Sequence, residues 1–321
     1  MRYIALEEAF AIPELAVDEH RPAFWKQARI SERYGKEFAR RLPDFTEYRL
    51  QDMDEAGIDI QVLSLTVPGI QAYTDAATAR DRARFANDYL ARVVAGHPDR
   101  FRGFAALPMQ DPRAAAEELS RAVRELGFCG ALVNDQLQGH YLDEPQYDEV
   151  WTALEELSVP LYLHPGAPTD RWKVLDGHPE LATAMWGWAA QVGGHAMRCV
   201  TGGVFDRHPG ATLILGHMGE FLPYMRSRFD SRYPIFDHDV PLQRVPSAYI
   251  GSNVVITNSG VFSPAALTGA VLEMGADAIM FSIDYPYESS REAVTGLEQT
   301  PLSDTDREKI AHGNAERILR L

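Results

Sequence analysis

The sequence predicts an α/β protein, a (β/α)8 or TIM barrel, and three observations carry that reading. Short apolar runs recur eight times along the 321 residues, they are mostly not interrupted by alternating polar residues, and longer amphipathic stretches lie between them. Such runs are strands covered on both faces, as in a parallel sheet wrapped by helices.

In order, the strand runs are YIAL (3–6), IQVLSL (60–65), FRGFAAL (101–107) and CGALVN (129–134), then PLYLH (160–164), ATLILGH (211–217), VVITNS (254–259) and AIMFSID (278–284). Between them, DRARFANDYLARVVAGH (81–97) stops at Pro98, and DPRAAAEELSRAVRELG (111–127) opens on Asp-Pro and stops at Gly127. Proline suits a helix start because the missing N–H would be unpaired there anyway, and glycine suits the end. EPQYDEVWTALEEL (144–157), PAALTGAVLEMG (264–275) and SDTDREKIAHGNAERILRL (303–321) read the same way. Residues 11–50 match no barrel element and read as an insertion after the first strand. A doubly wound open sheet is the alternative, but no glycine-rich phosphate loop follows the first run. With no repeat and no Pro/Gly/Ser-rich linker, residues 1–321 read as one domain.

Composition removes several classes of function. A net charge of −15 argues against a nucleic-acid partner, whose phosphates need a basic face. Cys129 and Cys199 are too few for a disulfide framework or a thiolate zinc site. No apolar run approaches the roughly 18 residues of a membrane helix, and MRYIALEEAF is too short and acidic for a signal peptide. The expectation is a soluble protein of the reducing cytoplasm.

Chemistry in such a barrel sits where strands end. The first run ends at Glu7-Glu8, the fourth at Asn134-Asp135, the fifth at His164 and the sixth at His217, with Glu220 just beyond. The seventh ends near Thr257-Asn258 and the eighth at Asp284. If the first strand alternates, Glu7 and Glu8 point opposite ways and only one enters the barrel mouth. Of the histidines before proline, His97, His178 and His208 follow amphipathic stretches and read as turn punctuation. His164 instead closes the apolar Leu161-Tyr162-Leu163 and reads as a metal ligand. His195, inside AAQVGGHAMRCV, reads as a packed or solvated helix residue. His217 and Glu220, three apart in LILGHMGE, would share one face of a helix's first turn, where a carboxylate orients an imidazole as a general base. Asp284 stands before Tyr285-Pro286, where proline ends the strand and a loop begins.

Taken together, IALEEAF, PLYLHPGAP, LILGHMGE and FSIDYPYE resemble the amidohydrolase-related, metal-dependent aromatic acid decarboxylases, a group that includes 2,3-dihydroxybenzoate, γ-resorcylate and salicylate decarboxylases. The likeness runs nearly end to end, through HPDRFRGFAALPMQDP (97–112), GALVND (130–135) and DREKIAHGNAERIL (306–319). It implies Glu7, His164 and Asp284 as ligands of one divalent metal ion, His217 and Glu220 as a catalytic pair, and Asn134 and Arg228 as substrate contacts. It also implies a homo-oligomer, dimer or tetramer. Phe10, Phe24, Trp25, Trp186 and Trp188 are candidates for an aromatic substrate pocket, Phe10 first among them, although aromatics at this spacing equally suit a core. Two positions depart from the pattern: Ala9 stands where many relatives carry the histidine of Glu-x-His, and Gly166 where relatives often carry arginine.

Two carboxylates and one imidazole favour Mg²⁺ or Mn²⁺, with Zn²⁺ also compatible. The implied reaction is nonoxidative decarboxylation of an ortho-hydroxybenzoate-type acid to a phenol and CO2. Asp284 would protonate the ring, and His217, oriented by Glu220, would hold or deprotonate the phenol. No signature of NAD, flavin or PLP is present. The alternatives are a hydrolase or hydratase of the same superfamily, acting on a lactone, amide or unsaturated acid, and a noncatalytic binding protein.

Overall fold

Strand follows strand around a parallel barrel in the computed structural model of the chain, which describes residues 1–15, 30–166 and 172–321. β1 (Ile4–Phe10) pairs with β2 (Ile60–Leu65), and β2 with β3 (Phe101–Gly103). β3 breaks at Phe104 and resumes at Ala105–Ala106, yet the Phe104 N–H still reaches the Leu63 carbonyl at 2.9 Å, so the two pieces act as one barrel strand. From there the ladder continues through β4 (Ala131–Asn134), β5 (Leu161–His164), β6 (Leu213–Leu215), β7 (Val254–Thr257) and β8 (Ile279–Met280). Each of the eight expected runs holds a strand. Only β1 outgrows its run, because the carboxylates that follow YIAL stay extended.

Alternation along these strands divides the core in two. Leu6, Val62, Phe104, Leu132, Tyr162, Ile214, Val255 and Met280 form one cluster, filling the barrel. Ala5, Leu63, Val133, Leu163, Leu215 and Ile256 belong to a second, between sheet and helices. Both faces are buried, which is why the runs lack polar alternation.

The helices are α1 (Glu32–Arg41), α2 (Tyr48–Ala56), α3 (Ala76–Gly96), α4 (Pro112–Arg124), α5 (Asp148–Leu157) and α6 (Gly187–Thr201). After them come α7 (Val204–Arg207), α8 (Arg226–Arg232), α9 (Pro264–Met274), α10 (Ser290–Gln299), α11 (Asp304–Glu308) and α12 (Asn314–Leu319). The side chains of Asp75, Asp111, Ser263 and Ser289 each accept an N–H from the first turn of the helix they precede. One expectation needs correction. The insertion after β1 ends before Tyr48 rather than at residue 50, because α2 is the barrel helix leading to β2. Its buried residues are Arg49 and Met53, and an arginine on the inner face disguises the helical pattern. Among the described residues no helix is long and apolar enough to cross a membrane.

Candidate metal and catalytic site

Carboxylates and imidazoles from β1, β5 and the turns after β6 and β8 meet at the mouth of the barrel. The register of β1 shifts between Ala5 and Glu8. Glu7 turns inward and Glu8 turns to the seam beside β8, so the two part as strand alternation requires. Oε2 of Glu7 accepts hydrogen bonds from the hydroxyls of Tyr162 and Ser259. Oε1 is buried without a hydrogen-bond partner. It lies 3.4 Å from Nε2 of His164 and 3.4 Å from Nε2 of His217. Gly216 permits this approach, since a Cβ there would stand 2.5 Å from Glu7 Oε2.

His164 is aimed by its other nitrogen. Nδ1 lies 2.9 Å from Asn134 Oδ1 and 2.8 Å from the Pro165 carbonyl. Both are acceptors, so Nδ1 carries the proton and Nε2 keeps its lone pair toward Glu7. Burial lowers the imidazole's pKa and His217 lowers it further, against the pull of Glu7. The ring is therefore neutral near pH 7, as a ligand must be.

Asp284 completes the cluster. One ligand atom each from Glu7, His164 and Asp284 lie within 4.8 Å of one another. Its backbone is left-handed, with φ of 78°. Burial pushes its carboxyl up to about 7; the nearby His217 imidazolium opposes this and the Glu7 charge adds to it. Burial likewise pushes the Glu8 carboxyl up, against the Ile283 and Tyr285 amides and the Arg49 guanidinium, which favour the ionised form.

His217 faces the same space, its Nε2 3.6 Å from Asp284 Oδ2. Its Nδ1–H donates to Glu220 Oε1 at 2.7 Å, and its backbone N–H to the Ser259 hydroxyl at 2.9 Å. Burial disfavours an imidazolium, but the charges of Glu7 and Glu220, the nearby Asp284 carboxylate and the hydrogen bond to Glu220 outweigh it and hold the pKa well above the usual histidine value. The expected helical turn is not what joins this pair. His217, Met218, Gly219, Glu220 and Phe221 have φ of 47°, 60°, 74°, 51° and 70°, a continuous left-handed stretch. That backbone is fastened by Ser259 at its start and by the Gly219 N–H on the Gly216 carbonyl at 2.7 Å.

Other expected residues lie elsewhere. Asn134 places its side-chain oxygen on His164 and turns its amide toward Gln71 at 3.5 Å. Phe10 is a core residue: its buried ring packs on Phe45 with centroids 5.6 Å apart. The reason is the register shift in β1: Ile4 and Leu6 fill the barrel, but the irregularity between Ala5 and Glu8 reverses the alternation and leaves residue 10 on the helix-facing side. Arg228 is exposed on α8 and pairs with no acid among the described residues. Trp188 meets His164 edge-on at 6.5 Å, while Trp186 packs on the exposed Phe221 at 5.3 Å. Phe24 and Trp25 lie outside the described residues. A Cβ at Gly166 would stand 2.7 Å from the Asn134 carbonyl, so a larger residue there needs a different end to β4. His195 is buried and structural, donating to Asp135 at 2.8 Å and accepting the Leu142 N–H at 2.9 Å.

Tyr162, Ser259 and the Glu8 contacts escaped the sequence reading. Tyr162 had a signal, since it lies two residues before His164 and shares its face of the strand. Asn134→Ala is expected to lower affinity for a divalent ion about 10- to 100-fold by freeing the His164 ring. A Mn²⁺ titration followed by electron paramagnetic resonance checks this, and unchanged affinity would remove Asn134 from the role.

Comparison with known proteins sets this geometry in context. A family model described as Amidohydrolase matches residues 17–321. Gamma-resorcylate decarboxylase of Rhizobium sp. (strain MTP-10005) is 43% identical, over 99% of this chain and 98% of its own. The crystal structure of a 2,6-dihydroxybenzoate decarboxylase complexed with 2,6-dihydroxybenzoate aligns with a TM-score of 0.91 at 43% identity, covering 99% of both chains. A dihydroxybenzoic acid decarboxylase from Polaromonas sp. JS666, with bound manganese and the inhibitor 2-nitroresorcinol, aligns with a TM-score of 0.92 at 42% identity, covering 99% of this chain and 97% of that one.

Proposed function

The chain belongs to the amidohydrolase family, among its metal-dependent aromatic acid decarboxylases, and from that premise we propose that it converts a 2,6-dihydroxybenzoate-type acid to the phenol and CO2. The observation that carries the proposal is Glu7 Oε1, a buried carboxylate oxygen without a hydrogen-bond partner, facing two imidazole Nε2 atoms beside Asp284. The His217 imidazolium 3.4 Å away offsets part of its charge but makes no hydrogen bond to it, so the oxygen stays open toward His164 and Asp284. Glu7, His164 and Asp284 therefore fit a divalent ion. Their two carboxylates and one neutral imidazole suit Mn²⁺ or Mg²⁺ and tolerate Zn²⁺. Ala9 contributes no ligand. When bound, such an ion supplies Lewis acidity for the carboxylate and the adjacent phenolic oxygen of the substrate.

The residues around it divide the remaining work. Direct loss of CO2 would leave an aryl carbanion, so the ring carbon bearing the carboxylate is protonated first. Asp284, whose carboxyl shares the space between Glu7 and His164, is the residue assigned to give and retake that proton. Once the proton is on carbon, the bond to the carboxylate breaks, its electron pair returns to the ring and CO2 leaves. His217, kept cationic by Glu7 and Glu220, holds the phenolic oxygen. Trp188, edge-on beside His164, gives the ring an apolar wall.

We extend the proposal to one domain over residues 1–321 that assembles as a homo-oligomer in the cytoplasm. The exposed Trp186, Phe221, Met225 and Phe236 support assembly, which light scattering tests. The reaction is tested by a screen of 2,6- and 2,3-dihydroxybenzoate and salicylate for CO2 release with added Mn²⁺, Mg²⁺ or Zn²⁺. Release with none of them, alongside opening of a lactone or amide, would replace decarboxylation by hydrolysis.

Metal uptake should depend on pH. Below about 7 the Asp284 carboxyl of the metal-free protein is protonated and His217 is cationic, and both oppose a divalent ion. Mn²⁺ affinity is expected to rise as pH rises through about 7, where Asp284 ionises, and to rise again at higher pH, where His217 gives up its proton, with protons released on binding. Calorimetry in two buffers of different ionisation enthalpy reads this, and equal affinity at pH 6 and 8 would contradict it.

A further inference from the structure

The barrel closes in an unusual way where the last strand meets the first. β8 is hydrogen-bonded to β7 but shares no ladder with β1. At the mouth the seam is joined by the Ala9 N–H on the Tyr285 carbonyl at 2.8 Å and by the buried carboxylate of Glu8. Glu8 Oε1 accepts the Ile283 N–H at 3.0 Å and the Ser282 hydroxyl at 3.2 Å. Glu8 Oε2 accepts the Tyr285 N–H at 3.2 Å. The two amides belong to the residues on either side of Asp284, whose left-handed backbone an L-residue rarely adopts unaided. Glu8 thus fixes the Asp284–Tyr285 peptide plane directly and the Ser282–Ile283 plane one residue upstream, while the Ile283 carbonyl of the intervening plane accepts the Gly260 N–H at 3.2 Å, and together these planes set the direction of the Asp284 Cα–Cβ bond. Ser282 ties the same group to the neighbouring ligand candidate, since its oxygen also accepts the Glu7 N–H at 2.7 Å.

We propose that Glu8 is a positioning residue of the site: its carboxylate holds Asp284 in the left-handed conformation that aims the aspartate at Glu7 and His164. The inference rests on the reading of Asp284 as a ligand and proton donor. The competing explanation is charge balance. Arg49 is fully buried behind the seam, hydrogen-bonded to the Ala9 carbonyl and Gln61 and stacked 4.3 Å from the Tyr285 ring centroid, and Glu8 would merely neutralise it.

Two substitutions separate these explanations. Glu8→Gln keeps the reach of the side chain and one accepting oxygen but loses the charge. Glu8→Asp keeps the charge but is one methylene too short to span both amides. Positioning predicts that Gln is the milder change, with Mn²⁺ affinity falling about 10-fold in Glu8→Gln and about 100-fold in Glu8→Asp. A changed Mn²⁺ resonance line shape and cooperative melting are expected in both. Charge balance predicts the reverse order, and that order, or wild-type affinity in both variants, overturns the proposal. Hydrogen exchange in the wild-type chain gives a test that needs neither variant to fold: the Ile283 and Tyr285 amides should exchange slowly, and exchange as fast as in an unstructured peptide overturns the clamp. Wild-type protein that binds Mn²⁺ but releases no CO2 from hydroxybenzoates would refute the proposed reaction, while the order of Mn²⁺ affinities would still decide the role of Glu8.

Discussion

Asp284→Asn is expected to reduce turnover by about 10⁴-fold or more, because it removes a charged ligand and the proton donor together and either loss alone is large. Isotope exchange isolates the second role. The phenol product, incubated with wild-type enzyme in D₂O, should acquire deuterium at the carbon that bore the carboxylate, without added bicarbonate. In metal-loaded Asp284→Asn that exchange should vanish. In His217→Asn it should slow by roughly 10²-fold, the usual scale for losing one acid–base group, with bound metal retained. Undiminished exchange in the Asp284 variant would move the donor to another residue, His217 first, whose Nε2 lies 3.6 Å from Asp284 Oδ2.

His164→Ala should lose most of its metal and nearly all activity. The substitution takes away the one neutral donor of the set and leaves Glu7 Oε1 facing a cavity, so an ion would be under-coordinated by roughly a third of its protein ligands. Metal analysis after dialysis against a Mn²⁺-free buffer is the measurement. Full occupancy in the purified variant would remove His164 from the ligand set. Folding should survive, since His164 sits at the open end of β5 and the strand's packing residues Leu161, Tyr162 and Leu163 remain.

The barrel was legible because its evidence is local. Each buried parallel strand is a short apolar run, and each run ends where the chain leaves the sheet, so Glu7, His164, His217 and Asp284 could be picked out as strand-end residues. Strand parity also said that Glu7 and Glu8 must diverge. What was not legible depends on contacts between distant segments. Nothing near Asn134 reveals that its carbonyl meets an imidazole thirty residues later, nor that Glu8 holds the peptides around Asp284. Phe10 was misplaced because the register shift in β1, which no residue pattern announces, reverses the alternation after Leu6. The α2 helix was missed because Arg49 occupies a position that pattern reading reserves for apolar side chains. His217 and Glu220 were paired correctly in space but through the wrong backbone, since three-residue spacing is shared by right-handed and left-handed turns.

That left-handed turn bears on how such a site can diversify. Four of its five residues are not glycine, and each occupies a conformation costing about 1–2 kcal/mol relative to the right-handed one. β-branched side chains tolerate it worst, and none occurs from residue 217 to 221. Random substitution there is filtered by backbone compatibility before any question of chemistry arises, so most single-step variants of His217–Phe221 lose the turn rather than acquire a new specificity. Mutational drift in substrate choice would then accumulate at positions of ordinary backbone around the mouth, such as Trp188, leaving the catalytic turn as the slowest-changing part of the rim.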